Sequence, residues 1–287
     1  MIEPLATAVR PQRTIAQSIG ASGRGVHSGR LTNLRLLPAA DGVGIVFRRT
    51  DMRGAPDIPA TLDSVMAAEL QRRTTLAVGE ARVHTVEHIL SAAYGLGIDN
   101  LIVELDGPEP PFLDGSAKPF VEMIESAGVC ELNSPVQAVA LPHPVAFSLD
   151  DADYSALPSE HLRVTFFFAS DESLLRRQSA SLIVTPDVFA RDIAPARTFC
   201  FFREIEALQR AGLIGGGTLA SAVVIGRKAI LNESLRFADE PVRHKILDFI
   251  GDLALLGRPV AGHFLVARGG HRTNAAFGQF LRKELGL

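Results

Sequence analysis

Residues 239–267 read DEPVRHKILDFIGDLALLGRPVAGHFLVA. Asp239-Glu240-Pro241 opens a helix that runs to about Leu256, and Val260 to Ala267 is the strand after it. Working outward, a final helix covers about Thr273 to Leu285, and Leu162 to Phe168 and Ala180 to Thr185 lie upstream as strands. The first half repeats this order. Leu31 to Pro38 and Gly44 to Arg49 alternate in the strand manner around the turn signal Asp41-Gly42. A helix follows from about Val86 to Tyr94 and stops at Gly95. Leu101 to Leu105 is a buried strand, and after the turn-rich Asp106 to Pro111 a second helix begins near Ser116 and reaches about Ala127. Pro119 is tolerated because it falls in the first turn.

The seam is the proline-containing stretch Asn133 to Pro144. This predicts a first α/β domain over 1–132, a linker over 133–144 and a second α/β domain over 145–287. The second carries an insert, about 197–225, with a short helix around Phe202 to Ala211 and the run Gly215-Gly216-Gly217. A duplicated order of strands, helix, strand and helix implies an α+β fold: two similar α/β layers packed face to face as a sandwich, with a ligand cleft between them.

The chain has 287 residues, 47% of them hydrophobic, enough for a substantial core. A net charge of −3 and a pI near 6.2 give a nucleic-acid partner no global electrostatic support. Local basic residues can still bind a phosphate. Met1 to Gly20 holds Glu3, Arg10 and Arg13 without a continuous apolar core, so it does not read as a signal peptide. The longest uncharged stretches, Leu132 to Leu149 and Ala211 to Gly226, are broken by proline or rich in glycine and fall short of the ~20 apolar residues of a membrane helix. No stable membrane insertion is expected, and the protein reads as cytosolic. Cys130 and Cys200 make no CxxC or framework spacing, and each reads as a small buried apolar residue.

On the 241–256 helix, His244, Asp248 and Asp252 are spaced by four and share one face, with Lys245 at its margin. Val242, Ile246, Phe249, Ile250 and Leu253 cover the other. Taken alone, the first face describes the solvated side of an amphipathic helix. Thr85-Val86-Glu87-His88 opens a helix that is otherwise nearly uncharged. Thr85 as N-cap and Glu87 answering the helix dipole account for part of this, and leave His88 unexplained. Adjacent Glu and His point about 100° apart, so one can ligate a metal while the other faces its water. Gly269-Gly270-His271 precedes the last helix, as Asp114-Gly115-Ser116 precedes the matching one. Glu87/His88, His244/Asp248 and His271 all lie at or near helix N-termini in equivalent layers, and such ends can converge on one cleft. Two His and one Asp suit zinc with a fourth position left for water, whose pKa the ion lowers toward about 7. Iron(II) can use the same ligands. Glu87 could take that water's proton, and a protonated His271 could steady the oxyanion or protonate the leaving amine.

Seven segments in order carry a resemblance over almost the whole chain: Gly25-Val26-His27-Ser28-Gly29, Thr85 to His88, Gly95 to Asn100, Leu113 to Ser116, Ala196-Arg197-Thr198-Phe199, His244 to Asp248 and Gly270-His271. Together they resemble the UDP-3-O-acyl-N-acetylglucosamine deacetylases, zinc amidases that commit sugar precursors to lipid A. The resemblance implies zinc ligands at His88, His244 and Asp248, a general base at Glu87 and a general acid at His271, with Asp252 orienting that histidine. It also implies oxyanion stabilisation by Thr198, and contacts from Lys245 and Arg268 near the polar and diphosphate parts of the substrate. An apolar passage for the 3-O-acyl chain would be lined by Phe199, Phe201, Phe202 and Leu213. The implied partner is a UDP-linked acylated amino sugar, handled by a monomer. Two departures stand out. Cys200 occupies a position where the family usually has Gly, and Phe168-Ala169-Ser170-Asp171 replaces an aromatic residue followed by His-Pro. The chain ends soon after the final helix, with no dehydratase domain appended.

Overall fold

The first half runs β1 (Arg10–Ile15), β2 (Ile19–Arg24), β3 (Leu31–Pro38), β4 (Ile45–Arg49), β5 (Ile58–Pro59), β6 (Thr75–Val78), β7 (Ala81–His84), α1 (Glu87–Gly95), β8 (Leu101–Leu105), α2 (Lys118–Ala127) and β9 (Val129–Val136). The second runs β10 (Val139–Ala140), β11 (Val145–Leu149), β12 (Ala152–Leu157), β13 (Leu162–Ala169), β14 (Arg177–Ile183), the single turn α3 (Pro186–Val188), β15 (Phe199–Phe201), α4 (Ile205–Arg210), β16 (Val223–Ile225), α5 (Glu240–Leu253), β17 (Val260–Ala267) and α6 (His271–Leu285). This computed structural model describes residues 9–54, 57–70, 72–170, 175 and 177–287. The start of the N-terminal stretch, including Glu3, and Asp171 in the segment that departs from the family lie outside the described residues.

The strand orders match. One sheet is β2-β3-β8-β4-β5 and the other contains β11-β12-β17-β13-β14, with β10 added beside β17. Directions agree pair by pair. The outer pairs are antiparallel, while β4–β8 and β13–β17 are parallel. A parallel pair needs a crossover, and the chain makes each one through a helix, α1 in the first half and α5 in the second. That is why Asp41-Gly42 does not close a hairpin: β8 lies between β3 and β4. The segment 133–144 is tied to both halves, since β9 pairs with β1 and β10 with β17.

Alternation along β3 buries Thr32, Leu34 and Leu36, and along β13 Leu162, Val164 and Phe166, so each sheet has one inward face. The helices fill the space between. α1 carries no charge after His88 and is buried nearly all round because it packs against α5, with α2 on its own side and α6 beside α5. The crossing of α1 and α5 depends on Gly251. A Cβ there would sit 2.2 Å from the backbone oxygen of Glu87. Gly251→Ala is therefore expected to cost about 1–3 kcal/mol by overpacking, read from the urea midpoint, and to lower activity by displacing Glu87. A variant with parent stability and activity would disprove this close approach.

The α+β sandwich expected from the sequence is the observed architecture, and β3, β8 and β17 match their expected bounds. Two elements shift. β14 covers Arg177–Ile183 rather than 180–185, because the Thr185 hydroxyl instead caps α3, accepting from Val188 N at 3.2 Å. α2 starts at Lys118 rather than Ser116, because Ser116 folds back onto Asp114 through its N–H and hydroxyl.

Candidate functional site

Thr85 turns the chain from β7 into α1 with a φ of +57°, unusual for a β-branched residue. Its hydroxyl does not cap the helix: the N-cap is Val86, and the Thr85 hydroxyl donates to Glu109 at 2.8 Å. Glu109 is almost wholly buried and also accepts from His27 N, Ser28 N and the Ser28 hydroxyl. Fixed this way, the turn places Glu87 and His88 as the first two residues of α1, both buried and facing α5.

His88, His244 and Asp248 each bring a ligand atom to one point, the three atoms lying within 4.8 Å of one another. The helix face carrying His244, Asp248 and Asp252 is buried, so the solvated-face reading of α5 fails; the first layer covers it. The residues fit a divalent cation. His244 Nδ1 lies 3.0 Å from the carbonyl oxygen of Ala196, which can only accept, so Nδ1 carries the proton and Nε2 keeps a lone pair for the site. Burial pushes the His88 imidazole down to about 3, keeping it a neutral ligand. Burial would raise Asp248, but His244, Lys245 and His271 hold it well below the usual carboxylate range, hence anionic. Lys245 Nζ is 2.9 Å from Asp248 Oδ2.

Glu87 and His271 flank this group, both displaced upward but for different reasons. Burial, with Asp248 and Asp252 adding repulsion, pushes Glu87 up to about 7, where a carboxylate can both take and return a proton near neutrality. His271 is raised to about 9: burial works against its charge, but Asp252, Glu87 and Asp248 outweigh it. Its Nδ1 donates to Asp252 Oδ2 at 2.9 Å, and Nε2 lies 4.0 Å from Asp248 Oδ2. The sequence put His271 just before the last helix, whereas it is the first residue of α6.

These groups sit in a cleft of about 860 Å³. Its apolar arm is lined by Phe168, Phe199, Phe201, Leu208, Leu219 and Val224, and Thr198 and Cys200 also face it. Phe199 lies edge-on to Phe168 and His244, and Lys245 sits over its ring at 5.7 Å. Arg268 and Arg272 line the polar end. There Arg268 bonds the Asp151 carbonyl and Asp153, and Arg272 bonds Asp150. Phe202 and Leu213 are not in the lining: Phe202 begins a 3-10 turn that leaves it 60% exposed, and Leu213 follows the end of α4. Cys130 is exposed on β9 rather than buried, and Cys200 is half-buried at the cleft wall.

A protein-family profile described as "LpxC: UDP-3-O-acyl N-acetylglycosamine deacetylase" matches residues 12–283. The chain belongs to this family. It is 42% identical to the UDP-3-O-acyl-N-acetylglucosamine deacetylase of Chlamydia pneumoniae over 97% of this chain and 99% of that protein. It is 45% identical to the deacetylase of the same name from Myxococcus xanthus, over 92% and 83% of the two chains. The like-named deacetylase of Thermosynechococcus vestitus is 42% identical over 95% and 94%.

As a member of the LpxC family, the chain holds its site with residues the sequence did not single out. Buried Glu240 opens α5 and accepts from Arg197 N and Nε and from Arg236 N. It thereby ties down residues 196–198, which supply the Ala196 carbonyl and Thr198. The run Gly215-Gly216 packs backbone to backbone on the first half, donating to the His27 and Val26 carbonyls; a Cβ on Gly216 would lie 2.2 Å from the Gly25 oxygen. Thr74 reaches both Glu87 and Asp252. Composition marks Glu240 only as a first-turn acid and Thr74 as part of a polar loop. The glycine run was the one visible signal.

Proposed function

We propose that the protein hydrolyses the acetamide of UDP-3-O-(3-hydroxyacyl)-N-acetylglucosamine, releasing acetate and the free amine, the committed step of lipid A biosynthesis. The observation that carries this reading is the convergence of a buried His-His-Asp group with Glu87 and His271 in a cleft whose lining is apolar on one side and charged, with Arg268 and Arg272, on another. Zinc held by His88, His244 and Asp248 is the proposed cofactor, with iron(II) the other ion this ligand set accepts. When bound there, the ion polarises the amide carbonyl and acidifies water. Glu87 takes the proton of the attacking water as its oxygen adds to the carbonyl carbon. Thr198 lines the cleft, and its hydroxyl is the proposed donor to the oxygen as negative charge develops. His271, held by Asp252 with Nε2 toward the site, gives its proton to the nitrogen as the C–N bond breaks. Phe199 lies beside the acyl chain, while Lys245 and Arg268 meet the sugar and diphosphate. One chain supplies every group, which supports action as a monomer. No helix among the described residues is long and apolar enough to cross a membrane, which accords with a cytosolic enzyme whose substrate carries the lipid.

Burying an acyl chain at ~0.8 kcal/mol per methylene gives the apolar arm several kcal/mol to use. Acetate release from the acylated UDP-sugar is therefore expected to exceed that from UDP-N-acetylglucosamine by about a hundred-fold or more in kcat/KM. Equal turnover of the two would overturn the substrate assignment and favour an amidase for another N-acyl sugar.

The acid role of His271 has its own signature. Asp252 is the foremost group raising its ionisation, so the alkaline limb of the kcat/KM profile, set near pH 9 by loss of the His271 proton, is expected to move to lower pH in Asp252→Ala. An unmoved limb would assign that proton to another group.

A further inference from the structure

Thr74 lies in the loop before β6, 1% exposed, and each of its polar atoms is turned to the site. Its N–H donates to Glu87 Oε2 at 3.0 Å. Its carbonyl accepts from Val86 N, the N-cap of α1, at 3.4 Å. Its hydroxyl donates to Asp252 Oδ1 at 2.5 Å, with His271 Nδ1 3.2 Å away. Asp252 belongs to α5 and His271 to α6, so this one residue of the first layer spans to the second, 178 positions along the chain from Asp252.

We propose that Thr74 is a positioning residue that fixes the general base and the general acid relative to each other across the cleft, its backbone holding Glu87 and its hydroxyl holding the Asp252–His271 pair. The inference rests on the acid–base roles proposed above. Two geometric facts support it. Asp252 Oδ2 already accepts from His271 Nδ1 at 2.9 Å and Asn274 Nδ2 at 2.8 Å, so only the hydroxyl of Thr74 holds Oδ1 among the bonds seen. A carboxylate gripped at one oxygen can pivot about it; gripped at both, it sets the plane of the imidazole it holds. Glu87 receives a backbone N–H from the same residue, so a shift of either carboxylate is felt at the other through the backbone and short side chain of one buried residue.

Removing the hydroxyl leaves the Glu87 contact intact, because that contact comes from the backbone. Thr74→Val keeps the shape and deletes the donor, and Thr74→Ser keeps the donor and deletes a methyl. With metal-loaded enzyme and the acylated UDP-sugar, Thr74→Val is expected to lose about ten- to a hundred-fold in kcat, as a small misplacement of reacting groups does. KM should stay within about twofold, and metal content should be unchanged. Thr74→Ser is expected to return most of that kcat. If the valine variant misfolds, Thr74→Ala, which leaves room rather than filling it, serves in its place with the same expectation. Parent kcat in the valine or alanine variant would overturn the proposal. So would a serine variant as impaired as valine, or a loss confined to KM. Glu87→Gln and Asp252→Ala are measured alongside: if they too retain parent kcat, the acid–base reading itself has failed, whereas impaired controls with an unaffected Thr74→Val isolate the failure to Thr74.

Discussion

Glu87→Gln is expected to lower acetate release by about a hundred- to ten-thousand-fold, the range for losing a positioned general base. The amide has the shape of the carboxylate and can still accept from Thr74 N, but it has no basicity to offer a water. The loss should fall on kcat and kcat/KM together, since proton removal is required only as the transition state forms. Stability should move the other way. Glu87 is raised from 4.5 to about 7, so its folded form favours the proton more than its unfolded form does. Its ionisation therefore opposes folding, with no penalty below the unfolded pKa and the full penalty above about 7. Metal-free Glu87→Gln should accordingly melt at the same or a higher temperature than the parent at pH 8. A variant that loses activity by unfolding would show the opposite, and one that keeps parent activity would remove Glu87 from the mechanism.

Asp248→Ala is expected to abolish both metal retention and activity. The substitution leaves two histidines without the carboxylate, and it also strips Lys245 of its partner at 2.9 Å and His244 of its partner at 3.2 Å. The uncovered lysine ammonium beside His244 then opposes a second cation. Metal analysis after dialysis should fall from about one ion per chain to almost none, and excess metal should not restore acetate release. Retention of a full equivalent would move the metal elsewhere.

The sequence displayed what repeats and hid what meets. β8 and β17 were legible because a short apolar run between turn signals can hardly be anything else at that length. α1 and α5 were legible from their apolar spacing and their openings, and the matching order of the two halves gave the sandwich. Spacing alone left α5 as a solvated amphipathic helix; the matching layer order gave Glu-His on one helix and His-x-x-x-Asp on another a common cleft and a metal-binding reading, and the family resemblance then assigned the role of each residue. The bonds that steady the site could not be read this way. Thr74 to Asp252 and Arg197 to Glu240 join positions far apart in sequence, and a single polar residue leaves no periodicity behind. Thr85 shows the opposite error: its residue type and position suggested a local cap, and a distant carboxylate claimed its hydroxyl instead.

The twin strand orders carry a consequence for assembly. One of the three proposed ligands comes from the first copy of the motif and two from the second, so neither copy alone completes the set. An intermediate with one layer folded and the other still loose offers an ion two donors at most. Capture of an ion at full strength would thus report that the two copies have docked in register, and the ion would act as a late fastener, adding its binding energy to a junction that the proposed ligands span.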